Sequence, residues 1–185
     1  MTTTIANATL TVTITEAVTL NGYDQGSANS LVIPSIDEVV KRIATVSTTE
    51  TGLLSFSAAS STAVAATAAA TCVAHRFDQA NVRYIRITNK DDTNFVVLRF
   101  RSQGNHEYAV KVDAGNSYIY GCDTAGGGGT VATMDANTAA LTVALDNLAD
   151  ITADADTADV DVEVFVAASD IERYWNWSLP KPPVK

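Results

Sequence analysis

The chain has 185 residues and a mass of 19.5 kDa, enough for one domain that buries about 70% of its unfolded surface without a covalent staple. Hydrophobic residues at 46% and charged residues at 18% exclude disorder of the whole chain. A net charge of −9 and a pI near 4.5 argue against a nucleic-acid module, which needs a basic face to displace counterions from phosphates. No apolar run reaches the roughly 20 residues of a membrane helix, so no membrane is expected as a partner. The opening MTTTIANATL lacks the basic and apolar regions of a signal peptide. Cys72 and Cys122 are too few for a disulfide framework.

Period-two alternation is the leading signal. From Thr9 to Leu20, threonines at odd positions oppose Leu10, Val12, Ile14, Val18 and Leu20, interrupted only by Glu16. Such a segment predicts a strand that buries its even face and wets its threonines. Asn21-Gly22 then predicts a turn, because both residues tolerate positive φ. Ile36, Val39, Val40 and Ile43 also fit helical spacing, but the poor helix formers Thr45–Thr49 favour a strand from Val39 to Val46. A hairpin through Glu50-Thr51-Gly52 into Leu53–Phe56 is expected to follow. Ala58 to Ala74 is a low-complexity Ala/Ser/Thr stretch, read as irregular with at least one strand.

Downstream, Tyr84–Thr88 is β-branched and aromatic. Val96, Leu98 and Phe100 share one face opposite Arg99 and Arg101. Tyr108, Val110 and Val112 alternate with Ala109, Lys111 and Asp113, and Asp113-Ala114-Gly115-Asn116 predicts a hairpin into Ser117–Gly121. Gly126–Gly129 reads as a long loop, Leu141, Val143 and Leu145 as a further strand. Val160, Val162, Val164 and Val166 make the last one, with Asp161, Glu163 and Phe165 on its other face. Many short strands broken by polar turns predict an all-β fold, a β-sandwich or jelly-roll-like single domain over residues 1–171. Residues 172–185, with Pro180, Pro182 and Pro183, predict an extended C-terminal arm.

Catalytic patterns are absent: no Gly-x-Ser-x-Gly, no His-Glu-x-x-His and no phosphate loop. Cys72, His75, His106 and Cys122 have the residue types of a zinc site, but Cys72-x-x-His75 on a strand would point its ligands to opposite faces. Asp146, Asp150, Asp154, Asp156, Asp159 and Asp161 offer oxygens to calcium without the ligand order of an EF-hand. No enzyme activity, cofactor or metal is therefore expected.

Charge is unevenly spread. Seven basic residues lie between Arg76 and Lys111, against four acids, whereas Asp123 to Glu172 holds eleven acids and no Lys or Arg. This polarity predicts either balance within one subunit or pairing between neighbours, with Arg99 and Arg101 as charge partners. Tyr174, Trp175 and Trp177 put large aromatic area on the proline-rich arm and predict an anchor on another subunit. The competing readings are a tail that folds back onto its own domain, and stacking of Trp175 and Trp177 on sugar rings, as in a carbohydrate-binding or receptor-recognition module.

The run Tyr84-Ile85-Arg86-Ile87-Thr88-Asn89-Lys90-Asp91-Asp92-Thr93-Asn94-Phe95-Val96-Val97-Leu98 resembles a feature of small structural proteins of tailed phages. Tyr108–Val112, Asp113–Ser117 and Tyr118-Ile119-Tyr120 are similar to its usual continuation, as is the closing Asp161–Ala167. The stretch from Leu20-Asn21-Gly22 to Leu31-Val32-Ile33 and the Ala/Thr-rich texture fit virion proteins of phages of marine bacteria or cyanobacteria. The resemblance implies a virion protein without catalytic activity, and its motifs do not encode whether it decorates the capsid or belongs to a tail or neck. Taken with the rest of the chain, the expectation is a capsid cement or decoration protein, a homo-oligomer that contacts the major capsid protein or other virion proteins. A tail, neck or head-fibre component is the alternative within that class. The aromatic–proline arm is not part of the resemblance.

Overall fold

A computed structural model of the chain describes residues 7–57, 75–79, 81–122, 132–133 and 146–169. Among them are fourteen β-strands and no helix, so the all-β expectation holds. The Ala/Ser/Thr stretch 58–74, the glycine run, Leu141–Leu145 and the C-terminal arm 172–185 lie outside the described residues.

Residues 8–36 form a β-hairpin arm of β1 (Ala8–Glu16), β2 (Thr19–Leu20), β3 (Tyr23–Asp24) and β4 (Ser27–Ile36). The sandwich follows, with β5 (Glu38–Val46), β6 (Thr51–Ser57), β7 (His75–Asp78), β8 (Val82–Asn89), β9 (Val96–Ser102) and β10 (Glu107–Val112). It ends with β11 (Ser117–Cys122), β12 (Ala132–Thr133), β13 (Asp146–Ala155) and β14 (Val160–Ala168). The first sheet has the order β11-β8-β14-β5 and the second β10-β9-β13-β6-β7, with β12 beside β13. Every pairing is antiparallel except β6 with β7.

The pairs are nested. β9 pairs with β10, β8 with β11, β6 with β13 and β5 with β14, as in one long hairpin rolled across two layers. This is jelly-roll connectivity, one of the ways an antiparallel β protein limits its open edges. It corrects two expected hairpins. β5 and β6 lie in different sheets, as do β10 and β11, and β8 to β9 is a third such crossing. The turn chemistry is present but serves corners between layers. At the first corner, hydroxyls of Ser47, Thr49 and Thr51 bond one another and nearby backbone. At the second, the Asn89 side-chain amide donates to the carbonyls of Asn94 (2.9 Å) and Val112 (3.1 Å) while its oxygen accepts the Asp91 amide (2.9 Å). Fully buried Asn89 thus ties two crossings together.

Alternation places the core between the layers. On β9, Val96, Leu98 and Phe100 are sealed from solvent, and on β14 so are Val160, Val162, Val164 and Val166. A side chain on every second residue of each sheet points inward, so the two rows interdigitate. At the β10–β11 end, Tyr108 stacks on Phe100 (centroids 4.8 Å, 3° between planes), and Tyr118 and Tyr120 close around the same ring. Burial pushes the Tyr108 phenol well above its ordinary range and Tyr120 up to about 12.

Candidate functional site: a hairpin arm and the sheet beneath it

The arm is built around Asn21 (φ 51°) and Gly22 (φ 84°), the consecutive left-handed pair of a tight hairpin turn. Every pair down to Leu10↔Ile33 is equidistant from this turn, including Leu20↔Tyr23, Glu16↔Ser27 and Ile14↔Asn29. Close backbone approach near the tip also demands glycine: a Cβ on Gly26 would lie 2.3 Å from the Glu16 carbonyl oxygen.

At the root, Pro34 and Ser35 together oppose Thr9, and Ser35 takes φ 60°. This bulge shifts the parity of the strand, so Ile33 and Ile36, three residues apart, both face inward and are buried. They pack with Leu10, Val12 and Leu31 on Tyr84, Phe165 and Ala167 of the first sheet's outer face. Root and sheet therefore form a second, smaller core.

Beyond the root the sheet ends and the arm continues. The expected burial of the even row fails here: Leu10 and Val12 are half-buried, but Ile14 and Val18 are each 52%, Leu20 61% and Tyr23 73% exposed. The register supplies the reason, because Ile14 faces Asn29 and the segment Ser27–Ser30 brings no large apolar side chain to cover it. Thr13 and Ser30 hydroxyls bond across the opposite face at 2.8 Å, and Ser27 donates to Glu16 at 2.6 Å. The arm carries two acids, Glu16 and Asp24, and no cation.

The two outer faces of the sandwich differ. On the first sheet, edge strand β5 presents Val39 (53% exposed), Lys41 and Ile43 (63%) outward. Lys41 reaches Glu163 at 3.1 Å and Arg86 donates to it at 2.5 Å. The Lys41 ammonium, with Arg86 adding to it, holds the Glu163 carboxyl below the usual carboxylate range. The second sheet carries a ladder of charge instead. Arg99 pairs with Glu50 and, at 3.5 Å, with Glu107, while Arg101 pairs with Asp150, which raises its already high pKa.

Arg99 and Arg101, expected as charge partners for a neighbour, thus each meet acids of their own sandwich. Tyr174, Trp175, Trp177, Pro180, Pro182 and Pro183 lie outside the described residues. The zinc inventory is dispersed: β7, which holds His75, and β11, which ends in Cys122, occupy opposite ends of the two layers, and Cys72 is not described. Among the described residues no group of three or more His, Cys, Asp or Glu is placed to hold a metal. Of the acidic region, Asp150 serves Arg101 and Asp161 accepts from Thr45 at 2.7 Å, while Asp154, Asp156 and Asp159 are exposed.

The exposed hairpin arm is not among the elements expected from the sequence. Its signal was legible, since a turn at Asn21-Gly22 fixes which residues oppose Ile14 and Glu16. Comparison of the chain with protein-family models, with curated proteins and with solved structures finds no match.

Proposed function

We propose that the protein is a non-enzymatic structural subunit of a virion, a cement or decoration protein that stabilises a phage capsid through contacts between subunits. Jelly rolls serve viral capsids, lectins and cupins alike, so the fold alone does not choose among them. The observation that carries the reading is the arm, a protruding hairpin whose Ile14, Val18, Leu20 and Tyr23 stand in water. Apolar side chains grouped this way mark a surface meant to be covered. Covering them stabilises by about 25 cal/mol per Å² removed from water, and many copies on one shell multiply modest contacts. The sandwich interior is packed with apolar side chains such as Leu98, Phe100 and Val164, which suits a rigid spacer.

In this reading the partners are the major capsid protein or other virion proteins, with no nucleic acid and no membrane, and the site of action is the capsid exterior. Quantifying the chain in purified virions tests it. Hundreds of copies, lost when Leu20→Ser and Tyr23→Ser are combined, is the expected result. A handful of copies points to tail or neck, and absence from virions refutes the proposal.

A further inference from the structure

We infer that the arm of one copy docks on the outer face of the first sheet of a second copy, seating Leu20 and Tyr23 against Val39 and Ile43. The inference rests on the assembly reading above and names the partner: another molecule of the same chain.

Three observations carry it. Every large apolar side chain that stands exposed among the described residues lies either on the arm or on the outward face of the first sheet, and the outward face of the second sheet has none. The chemistry of the contact is already displayed within one copy, because the root of the arm is mated to Tyr84, Phe165 and Ala167 of that same face. In register, Val39 stands beside Ala167 and Ile43 beside Glu163, so the uncovered strip continues the covered one. Finally, tip and strip are exposed in the same molecule, so the tip does not reach its own strip. The segment from Ile14 to Gly22 spans roughly 25 Å at strand rise, long enough to cross to a neighbour.

Charge agrees with this pairing. The arm is purely acidic, while Lys41 stands between Val39 and Ile43 with its side chain 60% exposed. An acidic arm meeting an exposed ammonium has opposite charge across the contact, which steers the two surfaces together. Two copies related by a twofold axis make the contact twice, each lending an arm and receiving one.

Sedimentation of the full chain over a range of concentrations tests the inference, with two variants. One carries Leu20→Ser and Tyr23→Ser on the arm, the other Val39→Ser and Ile43→Ser on the sheet. The unaltered chain is expected to self-associate, and each variant alone to do so at least about tenfold more weakly. Mixing the two variants restores a one-to-one pair, because one intact arm then meets one intact face. Matching thermal melts for both variants show that the fold is kept. An unaltered chain that stays monomeric, association that survives both double substitutions, or a mixture that fails to pair overturns the inference. A monomer that still attaches to virions sinks this self-docking and leaves the proposed function standing. An oligomer never found in virions does the reverse.

Discussion

Val96, Leu98 and Phe100 on β9 and Leu10, Val12 and Ile14 on β1 are apolar rows with the same two-residue spacing. The first is sealed between two sheets, while the second starts half-covered and ends in solvent. Alternation determines which side chains share a face; it does not say whether anything lies over that face. What covers β9 is a second layer of the same kind, held there by nested long-range pairing. What covers β1 is only the width of the sheet under its root. The sandwich is thus a product of self-sufficient burial, whereas the arm is an incomplete one.

Substitutions separate the two regions sharply. Phe100→Ala removes a fully buried ring against which three tyrosines pack, and should destabilise the fold by about 3–5 kcal/mol in urea unfolding. Asn89→Ala removes the side-chain donor to the half-buried Asn94 carbonyl and the buried Val112 carbonyl and should cost about 1–3 kcal/mol, showing that a polar corner is also part of the interior. On the first sheet's outer face, Glu163 titrates below its ordinary 4.5 because Lys41 and Arg86 favour its charged form. The unfolded chain therefore takes up this proton first as the pH falls. The stabilisation is present above about pH 4.5 and is lost as the pH drops through the folded value. Glu163→Gln should flatten the acid limb of a stability-against-pH curve. Smallest of all, at concentrations dilute enough for monomers, Leu20→Ser combined with Tyr23→Ser should leave the unfolding free energy within about 0.5 kcal/mol of the parent, since neither side chain rests on its own sandwich. A large loss from that pair would mean that the arm tip is part of the core after all.

Much of this molecule is readable in its residues. The strand identities of β8, β9, β10 and β14 and their inward rows follow directly from alternation, as does the strand rather than helix at Val39–Val46. The destinations of the turns do not. Asp113–Asn116 is a genuine turn, with Gly115 at φ 73° and the Asn116 amide bonded to the Asp113 carbonyl at 3.0 Å. Whether the chain leaves it beside β10 or across the sandwich depends on a pairing with β8, some thirty residues earlier, to which no local pattern refers. Likewise Arg99 and Arg101 announce a solvent-facing row, but their acids Glu50 and Asp150 come from distant segments. The arm is the reverse case: its turn is local and its register symmetric, so the exposure of Ile14 could be read by counting outward from Asn21-Gly22.

The position of β14 has a consequence for how a copy matures. It lies between β5 and β8, and its Phe165 and Ala167 form part of the seat of the arm. Until residues 160–168 have been synthesised, the first sheet is two separate pieces and the hairpin has no complete platform. Pairing of this kind, early strands with late ones, is slow to form. On the ribosome, the hairpin of a nascent chain therefore gains its full seat only after the last strand has emerged.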